Sequence, residues 1–153
     1  MTALRVIWFV TILLCVVVPA TTASDVQLAD LPDVVRKTIL EQTQHATIIH
    51  LKKTLRDGHE LYEAHLKSGG ASRETIVVDE RGAVLEIDEA ISLPRVPPEA
   101  RRAIESSVAN GKNKKLESIK LPSGVIAAYR VQFERNGKQS ELRLSPDGRL
   151  VPE

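Results

Sequence analysis

The feature that most limits what this chain can fold into is a repeat. Leu31-Pro32-Asp33-Val34-Val35-Arg36-Lys37-Thr38-Ile39 resembles Val96-Pro97-Pro98-Glu99-Ala100-Arg101-Arg102-Ala103-Ile104, at an offset of 65 residues. Tyr62 and Tyr129 follow at an offset of 67, and Asp79-Glu80-Arg81-Gly82 and Ser145-Pro146-Asp147-Gly148 at 66. Three landmarks in one order at nearly one spacing point to a unit written twice. Each copy is long enough for one helix and a few strands, and too short for much more.

Both copies open with a helical pattern. In the first, Asp30 is the candidate N-cap and Leu31, Val35 and Ile39 recur at i, i+4. In the second, Pro97-Pro98-Glu99 begins the helix, Ala100, Ile104 and Val108 form its stripe, and Asn110-Gly111 supplies a left-handed stop. Hairpins follow. Asp57-Gly58 and Asn136-Gly137 suit two-residue type I′ turns, which need positive φ at both central residues. The first turn sets the pairs Ile49–Leu66, Leu51–Ala64, Lys53–Tyr62 and Leu55–Glu60 on a mostly apolar face. On the other face it sets Lys52–Glu63, Thr54–Leu61 and His50–His65. The second turn pairs Tyr129–Leu144, Val131–Leu142 and Phe133–Ser140, with Gln132–Glu141, Glu134–Gln139 and Arg130–Arg143 on the polar side. Further strands are expected at 74–78, 84–88 and 116–121, with 89–96 as the connection and Lys112-Asn113-Lys114-Lys115 as a solvated loop. The expected fold is α+β: two tandem units, 24–91 and 92–153, each a helix packed on its own three- or four-stranded antiparallel sheet.

The N-terminus sets the compartment. Arg5, an apolar run from Val6 to Val18, Pro19 and then Thr21-Thr22-Ala23 follow the pattern of an export signal over residues 1–23. About 13 apolar residues are short for a membrane span, so cleavage is expected over a retained anchor. The expected location is periplasmic or extracellular, with no membrane association after cleavage. Cys15, the only cysteine, lies inside this run between Leu14 and Val16, unlike a lipidation site. The remainder has no thiol for a disulfide or a zinc site. It keeps 20 basic residues against 20 acidic ones, which gives no reason to expect nucleic-acid binding. Its aromatic residues are Tyr62, Tyr129 and Phe133 alone, so the core must be aliphatic.

A helix opening Leu-Pro-x-x-Val/Ala-Arg, a strand pair carrying Tyr62 or Tyr129, and Val78-Asp79-Glu80-Arg81-Gly82-Ala83-Val84-Leu85 together resemble the PepSY domain family. The paired arrangement is also similar to the beta-lactamase inhibitor-like fold. The resemblance covers about residues 28–152. It implies an exported binding or inhibitory module without catalysis. Ser145-Pro146-Asp147-Gly148 departs from the family's turn form, and the scarcity of aromatic residues argues against beta-lactamase as a target.

Candidate chemistry is sparse. The four histidines, His45, His50, His59 and His65, all fall in the first copy. His50 opposite His65 offers two imidazoles to zinc or copper, with Glu63 diagonal, but a firm site needs three or four ligands; an exposed polar pair is the plainer reading. Arg130 opposite Arg143 places like charges across a ladder. Either Glu141 relieves them, or an acidic partner or anionic ligand does. Glu86, Asp88 and Glu89 lack the spacing of a calcium loop and read as a solvated strand edge. No nucleophile elbow, phosphate loop or His-Glu-x-x-His helix occurs, so no enzyme activity and no cofactor is expected. The expected function is recognition of another exported protein, such as a hydrolase to be inhibited, through the polar sheet faces. The contact residues are His50, Lys52, Glu63 and His65 from the first sheet and Arg130, Gln132, Glu141 and Arg143 from the second. Metal handling by His50 and His65, and a hydrolase with an unrecognised site, are the alternatives.

Overall fold

The computed structural model describes residues 23–43, 46–69 and 73–152. Apart from Ala23, the predicted signal lies outside the described residues, as does His45. The chain runs β1 (Ala23–Asp25), α1 (Asp33–Gln42), β2 (Thr47–Arg56), β3 (His59–Lys67), β4 (Arg73–Asp79) and β5 (Val84–Ala90). It continues through α2 (Pro98–Ser107), β6 (Lys112–Lys120), β7 (Ile126–Arg135) and β8 (Lys138–Leu144). All eight strands form one antiparallel sheet in sequence order.

This corrects the expectation of two helix-on-sheet units. The strands do not divide into two sheets, because β5 pairs directly with β6, from Ile87–Lys120 to Ala90–Glu117. Two separate sheets would leave β5 and β6 as facing edges with unmet N–H and C=O groups. Joining them removes both edges. The Ile91 amide extends the ladder to the Leu116 carbonyl at 3.0 Å. Glu86, Asp88 and Glu89 therefore lie on a central strand, not a solvated edge.

Both helices cover one side of this sheet. Val35 and Ile39 of α1 pack with Leu51, Tyr62, Ala64, Leu66, Ile76 and Val78. Ala100 and Ile104 of α2 pack with Tyr129, Val131, Phe133 and Leu144. Between these clusters the same side turns polar: Glu89 bonds both Lys120 and Arg95. The turns after β4 and β8 dock on the helices alike. Gly82 and Gly148 both have φ of 83°, and a Cβ on either would lie 3.0 Å from a helix carbonyl, that of Val34 or Glu99. The Ser145 turn has the backbone bonds of the Asp79 turn: Asp79 N to Ala83 O at 2.9 Å, Ser145 N to Arg149 O at 2.8 Å. Ser145 Oγ receives the Arg149 amide as Asp79 Oδ1 receives that of Ala83.

The two type I′ turns form where expected, with φ of 51° and 80° at Asp57-Gly58 and 53° and 74° at Asn136-Gly137. Every pair assigned to the second hairpin is found. In the first, the pairs hold from Leu55–Glu60 back to His50–His65, and then a bulge intervenes. Leu66 faces Ile48, and Ile49 is the extra residue, 53% exposed.

Three local expectations need correction. Pro32, with no side-chain cap bond, precedes α1, and Asp30 belongs to a short 3-10 turn, Leu28–Asp30. Gly111 is not a left-handed stop; positive φ falls at Asn113. Gly111 is needed for space, since a Cβ there would sit 2.8 Å from Phe133 Cδ2. Lys112 to Lys115 belong to β6, with Asn113 in an irregularity of its register.

Candidate functional site

Alternation along the strands sends one set of side chains to the helices and the other to a face no helix covers. Register fixes that open face. Its central row runs His50, His65, Thr75, Asp88, Ile119 and Ala128 across β2 to β7. One step along lie Glu117, Arg130 and Arg143, and one step the other way Lys52, Glu63, Val77 and Glu86. All eight residues expected to make contacts stand on this face. Because the sheet is continuous, the two sets share one surface. His50, Lys52, Glu63, His65, Arg130 and Gln132 line a single groove of about 760 Å³. Glu141 lies beyond its lip, in a shallower hollow with Gln132 and Lys115. Arg143 lines neither.

Arg130 organises the groove floor. Its side chain is only 14% exposed and meets four carboxylates. Nη1 lies 2.5 Å from Asp88 Oδ2 and 3.5 Å from Glu117 Oε2; Nε lies 3.2 Å from Glu141 Oε1, and Nη2 lies 3.7 Å from Glu86 Oε2. Of the two alternatives, Glu141 thus relieves the Arg130–Arg143 conflict, but it shares the task with Glu86 and Asp88, which the sequence suggested were a solvated edge, and with Glu117, which it did not single out. Arg143 and Arg56 both reach Glu86, at 3.9 Å and 3.5 Å. The signal that would have found this floor is the spacing of Glu86 and Asp88, which puts both carboxylates on one face of a strand.

Asp88 is 5% exposed. Burial pushes its carboxyl above the usual carboxylate value, against the pull of Arg130. Only Oδ2 has a hydrogen-bond partner; Oδ1 has none among the described residues, and neither has His65 Nε2.

The histidine pair forms with ring centroids 5.7 Å apart and planes tilted by 37°. Each ring has a neighbour of its own. His50 Nε2 lies 3.1 Å from Asp25 Oδ1, tying β1 to β2, and His65 Nδ1 shares a 3.0 Å hydrogen bond with Thr75 Oγ1. Burial lowers the His65 pKa, with Glu63 opposing it. No group of three or more metal-ligating side chains gathers among the described residues. His59 lies apart, at the rim of a smaller hollow with Arg56, Asp79 and Arg81.

Solved structures share this fold. A DUF2874 family protein from Bacteroides ovatus aligns with a TM-score of 0.59 at 20% identity, over 80% of this chain and 85% of that one. A BLIP-like protein from Bacteroides fragilis aligns at 0.55 and 18% identity, over 80% and 84%. A Bacteroides eggerthii protein described as "putative periplasmic" aligns at 0.61 and 12% identity, over 80% and 86%. The similarity to a BLIP-like protein agrees with the inhibitor-like fold expected from sequence. No family model matches the chain, and no curated protein does. No helix among the described residues is long and apolar enough to cross a membrane.

Proposed function

We propose that this chain is an exported, periplasmic, non-catalytic module that recognises another protein through its open sheet face. The observation that carries this reading is the uncovered face itself. Eight strands present a continuous groove, and the buried ion network around Arg130 holds its floor in place before any partner arrives. Preorganised polar surfaces lose little side-chain entropy on binding. A groove lined by long charged side chains suits a protein surface better than a small ligand, whose sites are mostly apolar. The BLIP-like description of one structural neighbour supports an inhibitory role, with an exported hydrolase as target. The repeated landmarks 65–67 residues apart further suggest an internal duplication of PepSY-like sequence within the one sheet.

Site-directed photo-cross-linking tests the face. Probes replace Lys52 and Gln132 on the open side, and Lys37 and Glu105 on the exposed helix surfaces. The exported protein in its own compartment should cross-link to a partner from the first pair and not the second. Cross-links from the helix positions alone would move the binding surface to the other side and end the proposal.

A further inference from the structure

The ion network under the groove sets four carboxylates, Asp88, Glu86, Glu117 and Glu141, against three guanidinium groups, those of Arg130, Arg143 and Arg56. Arg130 is shared among Asp88, Glu86, Glu117 and Glu141, and only Asp88 and Glu141 lie within 3.2 Å of it. Glu117 is held at 3.5 Å, and its side chain is 29% exposed. Arg143 and Arg56 spend their reach on Glu86. Glu117 and Asp88 both line the groove, and Asp88 Oδ1, beside them, lacks any donor among the described residues. Asp88 Oδ1 is closed to an incoming ligand, so Glu117 is the carboxylate that a cation in the groove reaches, with Asp88 buried beneath it.

The rim is mixed but net basic, with Glu63 and Glu74 beside three cations. Lys52, Arg73 and Lys115 border the same groove, and none takes part in an ion pair among the described residues. An acidic floor under a basic rim matches a surface with the reverse order of charge. We propose that the groove takes a protein loop bearing one cationic side chain between acidic residues. The cation pairs with Glu117, above the buried Asp88, and the flanking acids meet Lys52 and Lys115. An arginine suits the floor best, because its planar fork can grip the Glu117 carboxylate with two parallel hydrogen bonds. This rests on the open face being the recognition surface, and adds the chemistry of what it recognises.

The test uses the exported protein and three blocked pentapeptides: Glu-Gly-Arg-Gly-Glu, its glutamine analogue Glu-Gly-Gln-Gly-Glu, and the charge-reversed Arg-Gly-Glu-Gly-Arg. Amide and carboxyl NMR shifts are followed at millimolar peptide. The first peptide should shift resonances of β5, β6 and β7 and lower the Asp88 titration midpoint in the wild-type protein. It should bind on the order of tenfold more tightly than either of the others. Glu117→Gln should reduce that preference while leaving the fold intact, since the one ion pair of Glu117 among the described residues is its 3.5 Å contact with Arg130. Equal binding of all three peptides, preference for the reversed one, or an unmoved Asp88 midpoint would each overturn the inference. Cross-linking separates this from the broader reading. A partner caught at Lys52 and Gln132 through a segment with no cation leaves the face and removes the loop chemistry. A partner caught only from the helices removes the face.

Discussion

At the scale of single residues, His65 shows how the open face sets a charge state. Burial disfavours the imidazolium and pulls the ring below its usual 6.5, while Glu63 and Glu117 oppose the shift and Lys52 and His50 reinforce it. A histidine whose folded value lies below its unfolded one binds fewer protons when folded. Its contribution to stability is fully present above the unfolded value and is lost as pH falls from there through the folded one. His65→Gln removes the titration and keeps a polar group near Thr75. Urea midpoints taken from about pH 7.5 to 5 should therefore fall more steeply for the wild-type protein than for His65→Gln. Parallel curves would mean that the ring is no more buried than it is in the unfolded chain. Asp88 titrates in the opposite sense: its raised value contributes stability only at the acid end, below the ordinary 3.8, and that contribution is lost as pH rises.

At the scale of elements, the turns after β4 and β8 do more than reverse the chain. Gly82 and Gly58 have nearly the same backbone, φ of 83° and 80°, but differ in surroundings. A Cβ at Gly58 meets nothing within 4 Å, whereas one at Gly82 meets the Val34 carbonyl at 3.0 Å and Thr38 Oγ1 at 3.2 Å. Thr38 also donates a 2.8 Å hydrogen bond to the Gly82 carbonyl. Gly58→Ala should cost about 1–2 kcal/mol, the price of a left-handed alanine. Gly82→Ala should cost that amount and more, because the turn must also lift from α1. Denaturant titration of the two variants checks this, and equal losses would show that the turn does not dock on the helix. The same elements separate what the sequence could reveal from what it could not. Both type I′ hairpins were legible because Asp-Gly and Asn-Gly act within four residues, and register then follows from counting. The bulge at Ile49 was not, since nothing local distinguishes it from a regular alternation. That the eight residues expected to make contacts share one face was legible for the same reason as the hairpins. Both carboxylates of Glu86 and Asp88 were legible on one strand face, but their meeting with Arg130 was not, because it needs β5 beside β6 and nothing local in either strand announces that pairing.

At the scale of the whole molecule, two features pull in opposite directions. Two apolar clusters, each under its own helix, invite the halves to unfold separately. The β5–β6 junction binds them together. Parting it would break the ladder from Ile87–Lys120 to Ala90–Glu117, expose Ile119, which is 1% accessible, and take Arg130 away from Asp88 and Glu86. Exposing a buried isoleucine alone costs about 1.5–3 kcal/mol, a sizeable part of the roughly 5–15 kcal/mol that holds an ordinary domain together. The junction therefore outweighs the separation of the cores, and the sheet should unfold as one cooperative unit. Residue-resolved NMR through a urea series should show β3 and β7 signals lost at the same midpoint. Two midpoints, one for each side of the junction, would mean that the ion network around Arg130 couples the halves too weakly to make them one. Arg130→Met then becomes the sharper measurement: if the network supplies the coupling, this variant should split a transition that is single in the wild-type protein.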